Sequence, residues 1–158
     1  MSGQPLSVTL KGALSPLGDM DRTRAVLGAA TLVAGVATAG SLYFSLGLGL
    51  VPCDLCWYQR ILMYPLVVVL GVATVERRPG VFRTVLPLSV VGLAVATYHT
   101  YLQVSPSGAT CTLGGACAAV QYPMLGGLLT IPRLSLLGFA LITGALVLVT
   151  RHPAFAGR

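Results

Sequence analysis

The sequence predicts an all-α integral membrane protein, a four-transmembrane-helix bundle with its cysteines gathered in outer loops. Three observations carry that expectation. The 158 residues are 55% hydrophobic and only 9% charged, with a mean hydropathy of +0.84, whereas soluble domains carry about 25% charged residues. A soluble fold of this length has no means of hiding so much apolar surface, and a bilayer supplies an apolar solvent for it. The second observation is a set of four apolar segments, each near the ~20 residues that a spanning helix needs. The third is the charge pattern. The net charge is +6, but the cations sit in short clusters between the apolar runs, as orientation signals do. That leaves no basic and aromatic surface for nucleic acid.

The spans are expected at about 25–50, 57–75, 84–104 and 134–150, forming one transmembrane domain over 25–150 between an N-terminal tail (1–24) and a C-terminal tail (151–158). The first contains no charge, and its Gly28, Ala29, Ala30, Ala34, Gly35, Ala37, Ala39 and Gly40 suit close helix packing in lipid. The second is interrupted near its start by Arg60, and the third carries one titratable group, His99. Pro65 and Pro87 fall within or near the start of spans, where neighbouring helices satisfy the freed carbonyls. Ala37-Thr38-Ala39 resembles a signal-peptidase site, but the long polar stretch before it and the apolar run beyond it argue for a retained span. Residues up to about Asp21 show little periodicity and are expected to form a loose tail.

An even number of spans puts both termini on one side. Lys11, Arg22 and Arg24 precede the first span, Arg77, Arg78 and Arg83 lie between the second and third, and Arg151 and Arg158 follow the fourth. Only Arg60 and Arg133 fall towards the other side. The positive-inside rule therefore places the tails and the middle loop in the cytoplasm, in a cell inner or cytoplasmic membrane, with the other two loops outside. All four cysteines lie on or beside those outward loops: Cys53 and Cys56 at the start of the second span, Cys111 and Cys117 in the longest loop. An oxidising exterior is where disulfides form and persist. Hydropathy and cysteine placement agree although they are read independently.

Cys53 and Cys56 form a C-x-x-C that can close a small disulfide ring and reopen as a dithiol. A helix N-terminus carries partial positive charge and favours a thiolate. Arg60, one turn beyond Cys56, adds to that effect, and Asp54 opposes it. Arg60 can also simply snorkel to the headgroups. His99 lies at a similar depth with Gln103 one turn further along the same face, and polar groups at such depth are functional candidates by default. A cationic arginine and two neutral hydrogen-bonding side chains suit the carbonyl oxygens of a quinone.

Cys111 and Cys117, separated by five residues, sit among Ser107, Gly108, Gly114 and Gly115. A static staple of that size constrains little, because loop entropy scales with ring size. A mobile, exposed disulfide is the kind that exchanges with a partner thiolate. A four-cysteine zinc site fits neither the C-x-x-C and C-x5-C spacings nor the oxidising side, so no metal is expected.

Two blocks resemble the DsbB family, with its BdbC-type members, the quinone-linked oxidases of thiol–disulfide exchange. Pro52-Cys-Asp-Leu-Cys-Trp-Tyr-Gln-Arg60 is close to the family's P-C-x-L-C-x-Y-x-R. His99-Thr-Tyr-Leu-Gln-Val-Ser-Pro-Ser-Gly-Ala-Thr-Cys111 is similar to the stretch joining the third span to its outer cysteine. The likeness covers nearly everything after the N-terminal tail. It implies that Cys56 reacts with the ring of ubiquinone or menaquinone and that Cys53 exchanges with the loop pair. It further implies that a soluble DsbA-like thioredoxin-fold protein attacks Cys111, that Cys117 passes electrons to Cys53, and that Arg60 and His99 flank the quinone. Many members have a longer segment between the two loop cysteines, so the route from Cys117 to Cys53, and an inter-loop Cys53–Cys117 disulfide, stay open.

A quinone also answers an energetic need. A DsbA-like oxidant sits near about −120 mV, and each ~30 mV is worth about 1.4 kcal/mol for two electrons. Ordinary dithiols lie lower, so exchange alone would run uphill. The segment Val120 to Leu129 is expected along the membrane surface, holding the loop near the site. The competing readings are fewer in features. A non-catalytic scaffold with two static disulfides would need neither Arg60 nor His99. A reductase would need cysteines reachable from the cytoplasm, and a vitamin-K-epoxide-reductase-like enzyme would not share the block from His99 to Cys111.

Overall fold

The structure, a computed structural model, describes residues 6–76, 79–105 and 117–151, with 6–21 described by backbone alone. Four helices follow one another: α1 (Leu6–Leu42), α2 (Asp54–Glu76), α3 (Phe82–Val104) and α4 (Ile131–Arg151). The stretches Arg22–Gly47, Asp54–Glu76, Phe82–Val104 and Ile131–Arg151 are each long and apolar enough to cross a membrane. The protein is a four-helix multi-pass membrane bundle, as the hydropathy implied. In lipid this is the favoured solution, because a helix satisfies its own backbone groups.

The helices form a ring in which α1 packs on α2 and α4, and α3 packs on the same two. Its centre is filled by Leu27, Ala30 and Ala34 of α1, Leu66 and Leu70 of α2, Val85 and Ala96 of α3, and Phe139, Ile142 and Leu146 of α4. Outside, Leu32, Val36, Val68, Val75 and Leu148 are 65–78% exposed. Large aliphatics on the outer surface of α1, α2 and α4 are what a lipid solvent permits and water does not.

Small residues set the helix spacings. On α1 and α2, Gly28 faces Thr74 and Gly71 faces Thr31, and the two threonine hydroxyls meet at 3.3 Å. This is a hydrogen bond between closely packed membrane helices. Between α3 and α4, Gly92 lies flat against the fully buried ring of Phe139, leaving no room for even a methyl group. Pro65 and Pro87 lie inside α2 and α3 without ending either helix.

Two boundaries differ from the sequence reading. The backbone is helical from Leu6, so the expected loose tail over the first residues is instead an extension of α1. Lengthening an existing helix adds one hydrogen bond per residue fixed and needs no new nucleus, so weak periodicity does not prevent it. At its other end α1 stops at Leu42, gives a π-helical turn over Tyr43–Gly47, and leaves the helix before Leu50. Gly49, at φ +67°, takes the left-handed conformation that turns the chain towards α2. Inserting a methyl at the α3–α4 contact, by Gly92→Ala, should cost about 1–3 kcal/mol through overpacking against Phe139. Thermal unfolding in detergent would read this as a lowered Tm, and an unchanged Tm would contradict the packing.

Candidate active site

One end of the bundle gathers the N-terminus of α2, the C-terminus of α3 and the segment entering α4. Cys53 immediately precedes α2, and its carbonyl accepts the Trp57 N–H at 3.0 Å. This cap starts the helix and puts Cys56 on its first turn. The two sulfurs stand 2.9 Å apart. Cys53 Sγ also lies 3.8 Å from His99 Nε2 on α3. The Cys53 thiol is pushed up to about 12, first by its hydrogen bond with Cys56 and then by burial, with His99 working in the opposite direction.

His99 is 2% exposed and joins three segments. Its Nε2 lies 3.1 Å from the carbonyl of Cys117, and its Nδ1 lies 3.1 Å from Gln59 Nε2 on α2. A carbonyl only accepts, so Nε2 carries the proton and Nδ1 accepts from the Gln59 amide. Cys117 is fully buried, packed with Leu55 and Leu102, and Cys53 lies against that cluster. Gln103, one turn beyond His99, donates to the Ala119 carbonyl at 3.4 Å and accepts from the Thr130 hydroxyl at 2.9 Å. Gln121 donates to the Val51 carbonyl at 3.0 Å. The loop is thereby held on the cysteine pair by side chains from α3 and by its own polar residues.

Arg60 faces a different space. Its Nε donates to Ser41 Oγ and its Nη2 to the Ser41 carbonyl, both at 2.9 Å, and its guanidinium lies 5.5 Å from the centre of the Trp57 ring. Ser41 immediately precedes the end of α1, beside the π-helical turn. Such turns are frequent at functional sites. Beneath Arg60 runs a groove of about 570 Å³ between α1, α2 and α4. Leu32, Val36, Met63, Leu137 and Leu141 give it apolar walls, and Cys56, Gln59, Arg60 and Ser41 supply the polar groups at one end. Leu32, Val36, Leu137 and Leu141 are exposed on the lipid-facing surface, so the groove opens laterally between α1 and α4. Its size lies in the usual ligand-pocket range of about 300–1,000 Å³. A much smaller pocket holds Cys53, Cys56, His99 and Gln103. Cys56 lines both.

One cysteine is thus shared between a thiol cluster and an apolar groove. The family model for disulfide bond formation protein DsbB matches residues 22–149. The chain belongs to the DsbB family. It is similar to disulfide bond formation protein C of Bacillus subtilis (strain 168), 44% identical over 116 residues, covering 72% of this chain and 84% of that protein. It is also similar to probable disulfide formation protein C 2 of Bacillus cereus (strain ATCC 10987 / NRS 248), 39% identical over 115 residues, covering 72% and 82%. A probable disulfide formation protein of Coxiella burnetii (strain RSA 493 / Nine Mile phase I) is 37% identical over 123 residues, covering 75% and 83%. No solved structure matches.

Within this DsbB-family chain the expected site residues divide. Cys53, Cys56, His99, Gln103 and Cys117 come together at the outer end, and Cys111 lies outside the described residues. Arg60 and Cys56 line the groove, whereas His99 and Gln103 do not; both are turned towards the loop. The expectation of a mobile, exposed loop cysteine is corrected at Cys117, which Leu55 and Leu102 enclose and whose carbonyl His99 holds. The apolar Val120–Leu129 segment forms a tight turn bridged between Met124 and Leu129, with Leu125 and Leu128 each 73% exposed. Arg133 closes it by donating to the Leu128 carbonyl at 2.8 Å. Gln59 and Ser41 were missed by the sequence reading. Gln59 had a signal, a neutral polar side chain inside an apolar span, while Ser41 resembles any serine of a membrane helix.

The raised Cys53 thiol has a direct readout. In the reduced protein its alkylation rate should still climb tenfold per pH unit near about pH 10, where an ordinary thiol of pKa ~8.5 has levelled off. Cys56→Ala removes the first cause and should shift that rise to lower pH. A Cys53 profile that levels off like an ordinary thiol would contradict the geometry.

Proposed function

We propose that the protein is a membrane thiol–disulfide oxidoreductase that reoxidises a soluble DsbA-like partner and delivers the electrons to a membrane quinone. The carrying observation is that Cys56 borders both the thiol cluster and the lipid-open groove. Electrons arriving as a dithiol at the outer end then need only one side chain to reach a ligand in the groove.

The residues fit such a ligand at one end and along the walls. The apolar walls suit a ring with an isoprenoid tail entering from the bilayer, and Arg60, fixed by Ser41, presents a cation beside Cys56 for a carbonyl oxygen. Ubiquinone and menaquinone share this chemistry. A bound quinone accepts two electrons and two protons. Cys53 and Cys56 supply them, changing from dithiol to disulfide. Cys117 restores the dithiol: the loop dithiol attacks the Cys53–Cys56 disulfide, so that the loop pair becomes oxidised as this pair becomes reduced. Cys117 is buried in a cluster against which Cys53 packs, and this supports that exchange. The partner's dithiol then passes its electrons to the loop pair, with Cys111 as the attacked sulfur. His99 belongs to this exchange rather than to the quinone. Its ring lies beside Cys53 and anchors the backbone of Cys117, and Gln103 anchors the segment that follows. The cysteine end is extracytoplasmic and both termini are cytoplasmic, which places the exchange in the oxidising compartment.

The test is quinone absorbance followed over time with purified protein, a reduced DsbA-like partner and a quinone. Consumption should require the partner and vanish in Cys56→Ser. Consumption that survives this substitution would refute the route, and no consumption with any common quinone would favour a braced scaffold. Arg60→Met should raise the quinone KM by about 10- to 100-fold, the loss of a charge-assisted hydrogen bond of about 1.5–3 kcal/mol. An unchanged KM would remove Arg60 from the quinone site.

A further inference from the structure

The thiol cluster holds more than a dithiol. One ligand atom from each of Cys53, Cys56 and His99 lies within 4.8 Å of the other two. Cys53 Sγ and His99 Nε2 are 3.8 Å apart and the two sulfurs 2.9 Å. Tetrahedral zinc, with bonds of about 2.3 Å to sulfur and about 2.0–2.1 Å to nitrogen, separates such ligands by about 3.4–3.8 Å. The imidazole is therefore already at ligand distance from Cys53; the sulfurs have to part by about 1 Å, and Cys56 has to settle nearer the imidazole than the 4.8 Å that bounds the cluster. Cys53 can make that adjustment, because it precedes α2 rather than lying in it. This set differs from a four-cysteine site: its third member is a histidine from α3, brought in by the fold.

We propose that the reduced protein binds one thiophilic divalent metal ion of the zinc class through Cys53, Cys56 and His99. Thiolates and imidazole are the donors such an ion prefers, and three protein ligands leave a fourth position for water. Binding displaces one proton from each thiol and changes no oxidation state. The resulting dithiolate–imidazole complex of a dication is neutral, which suits a site at the edge of an apolar bundle. His99 must offer the Nε2 lone pair, so its proton moves to Nδ1 and the Gln59 amide turns to accept it through its oxygen. Gln59 is then the outer hydrogen-bond partner that metal-bound histidines commonly have. The bond from Nε2 to the Cys117 carbonyl is given up, so metal binding and docking of the loop compete for one nitrogen.

The site exists only while the C-x-x-C is a dithiol, because a disulfide offers no thiolate pair. It thus reads the electron-loaded state of the protein. If the oxidase reading holds, metal from the exterior retains the chain in that state and keeps Cys56 from handing its electrons on.

The experiment uses the full chain in detergent, reduced, freed of reductant under argon and titrated with Co²⁺, which Zn²⁺ should then displace. Expected are one equivalent bound, thiolate-to-cobalt charge-transfer absorption with the visible bands of a four-coordinate ion, and no binding by the oxidised protein. Cys53→Ser and Cys56→Ser should each abolish the charge-transfer intensity of a dithiolate. His99→Ala and Gln59→Leu should each weaken binding by about 10- to 100-fold, and Cys117→Ser should bind like the unaltered chain. Equal binding by the oxidised form, an unaltered affinity in His99→Ala, loss of binding in Cys117→Ser, or no binding at all would each overturn the proposal. The cobalt spectrum of the unaltered chain keeps the test independent of how the variants fold. No readout involves a quinone, so metal binding without quinone reduction would overturn the oxidase reading and leave this site standing.

Discussion

One buried imidazole holds the cysteine end of the protein together. His99 takes a hydrogen bond from Gln59 of α2 and gives one to the backbone of Cys117, while its own helix supplies the third wall. His99 is 2% exposed, so an unpaired group here would bear its full desolvation cost. The placement of α2 against α3, the burial of Cys117 and the approach of Cys53 to both all follow from satisfying this one ring. Neighbouring contacts repeat the pattern: Thr130 with Gln103, Gln121 with the Val51 carbonyl, Arg60 with Ser41.

The remainder of the molecule is divided between tight packing and a deliberate gap. Where Gly28 and Gly71 meet Thr74 and Thr31, and where Gly92 meets Phe139, the helices approach as closely as their side chains allow. Nearer the cysteine end the small residues of α1 act differently. Gly40 has no neighbour within reach of a Cβ, and it lines the groove together with Ala37. The same residue types thus draw α1 towards α2 at one end and leave a lateral opening towards α4 at the other. The two exceptions to the charge asymmetry also find local reasons. Arg60 is fixed by Ser41 and Arg133 by the carbonyls of the turn before α4, so each cation has hydrogen-bond partners at the cysteine end.

Family membership and geometry bear on the cysteine end by different routes. The family match over residues 22–149 takes in most of the four helices and the cysteine segments, and the structure adds where the polar side chains turn. Arg60 turns to the groove, His99 and Gln103 turn to the loop, and Cys56 stands between. A likeness of motifs alone groups Arg60 with His99, because both sit one or two turns below the outer surface. Their side chains nonetheless leave their helices on different sides of the bundle.

The sequence by itself determined the class of the protein. Four apolar runs, the clustering of arginines and the confinement of the cysteines to alternate loops fix a four-helix membrane bundle, because hydropathy and backbone satisfaction in lipid are local properties of each segment. The C-x-x-C at a helix start and the arginine one turn on were legible for the same reason. Only the tertiary structure decided which polar residues meet. That Gln59 meets one side of His99, that Ser41 orients Arg60, and that Cys117 is enclosed by Leu55 and Leu102 depend on how α1, α2 and α3 rotate about their axes. Rotation is set by the sum of many van der Waals contacts between small and large side chains, a property of helix pairs that no single segment encodes.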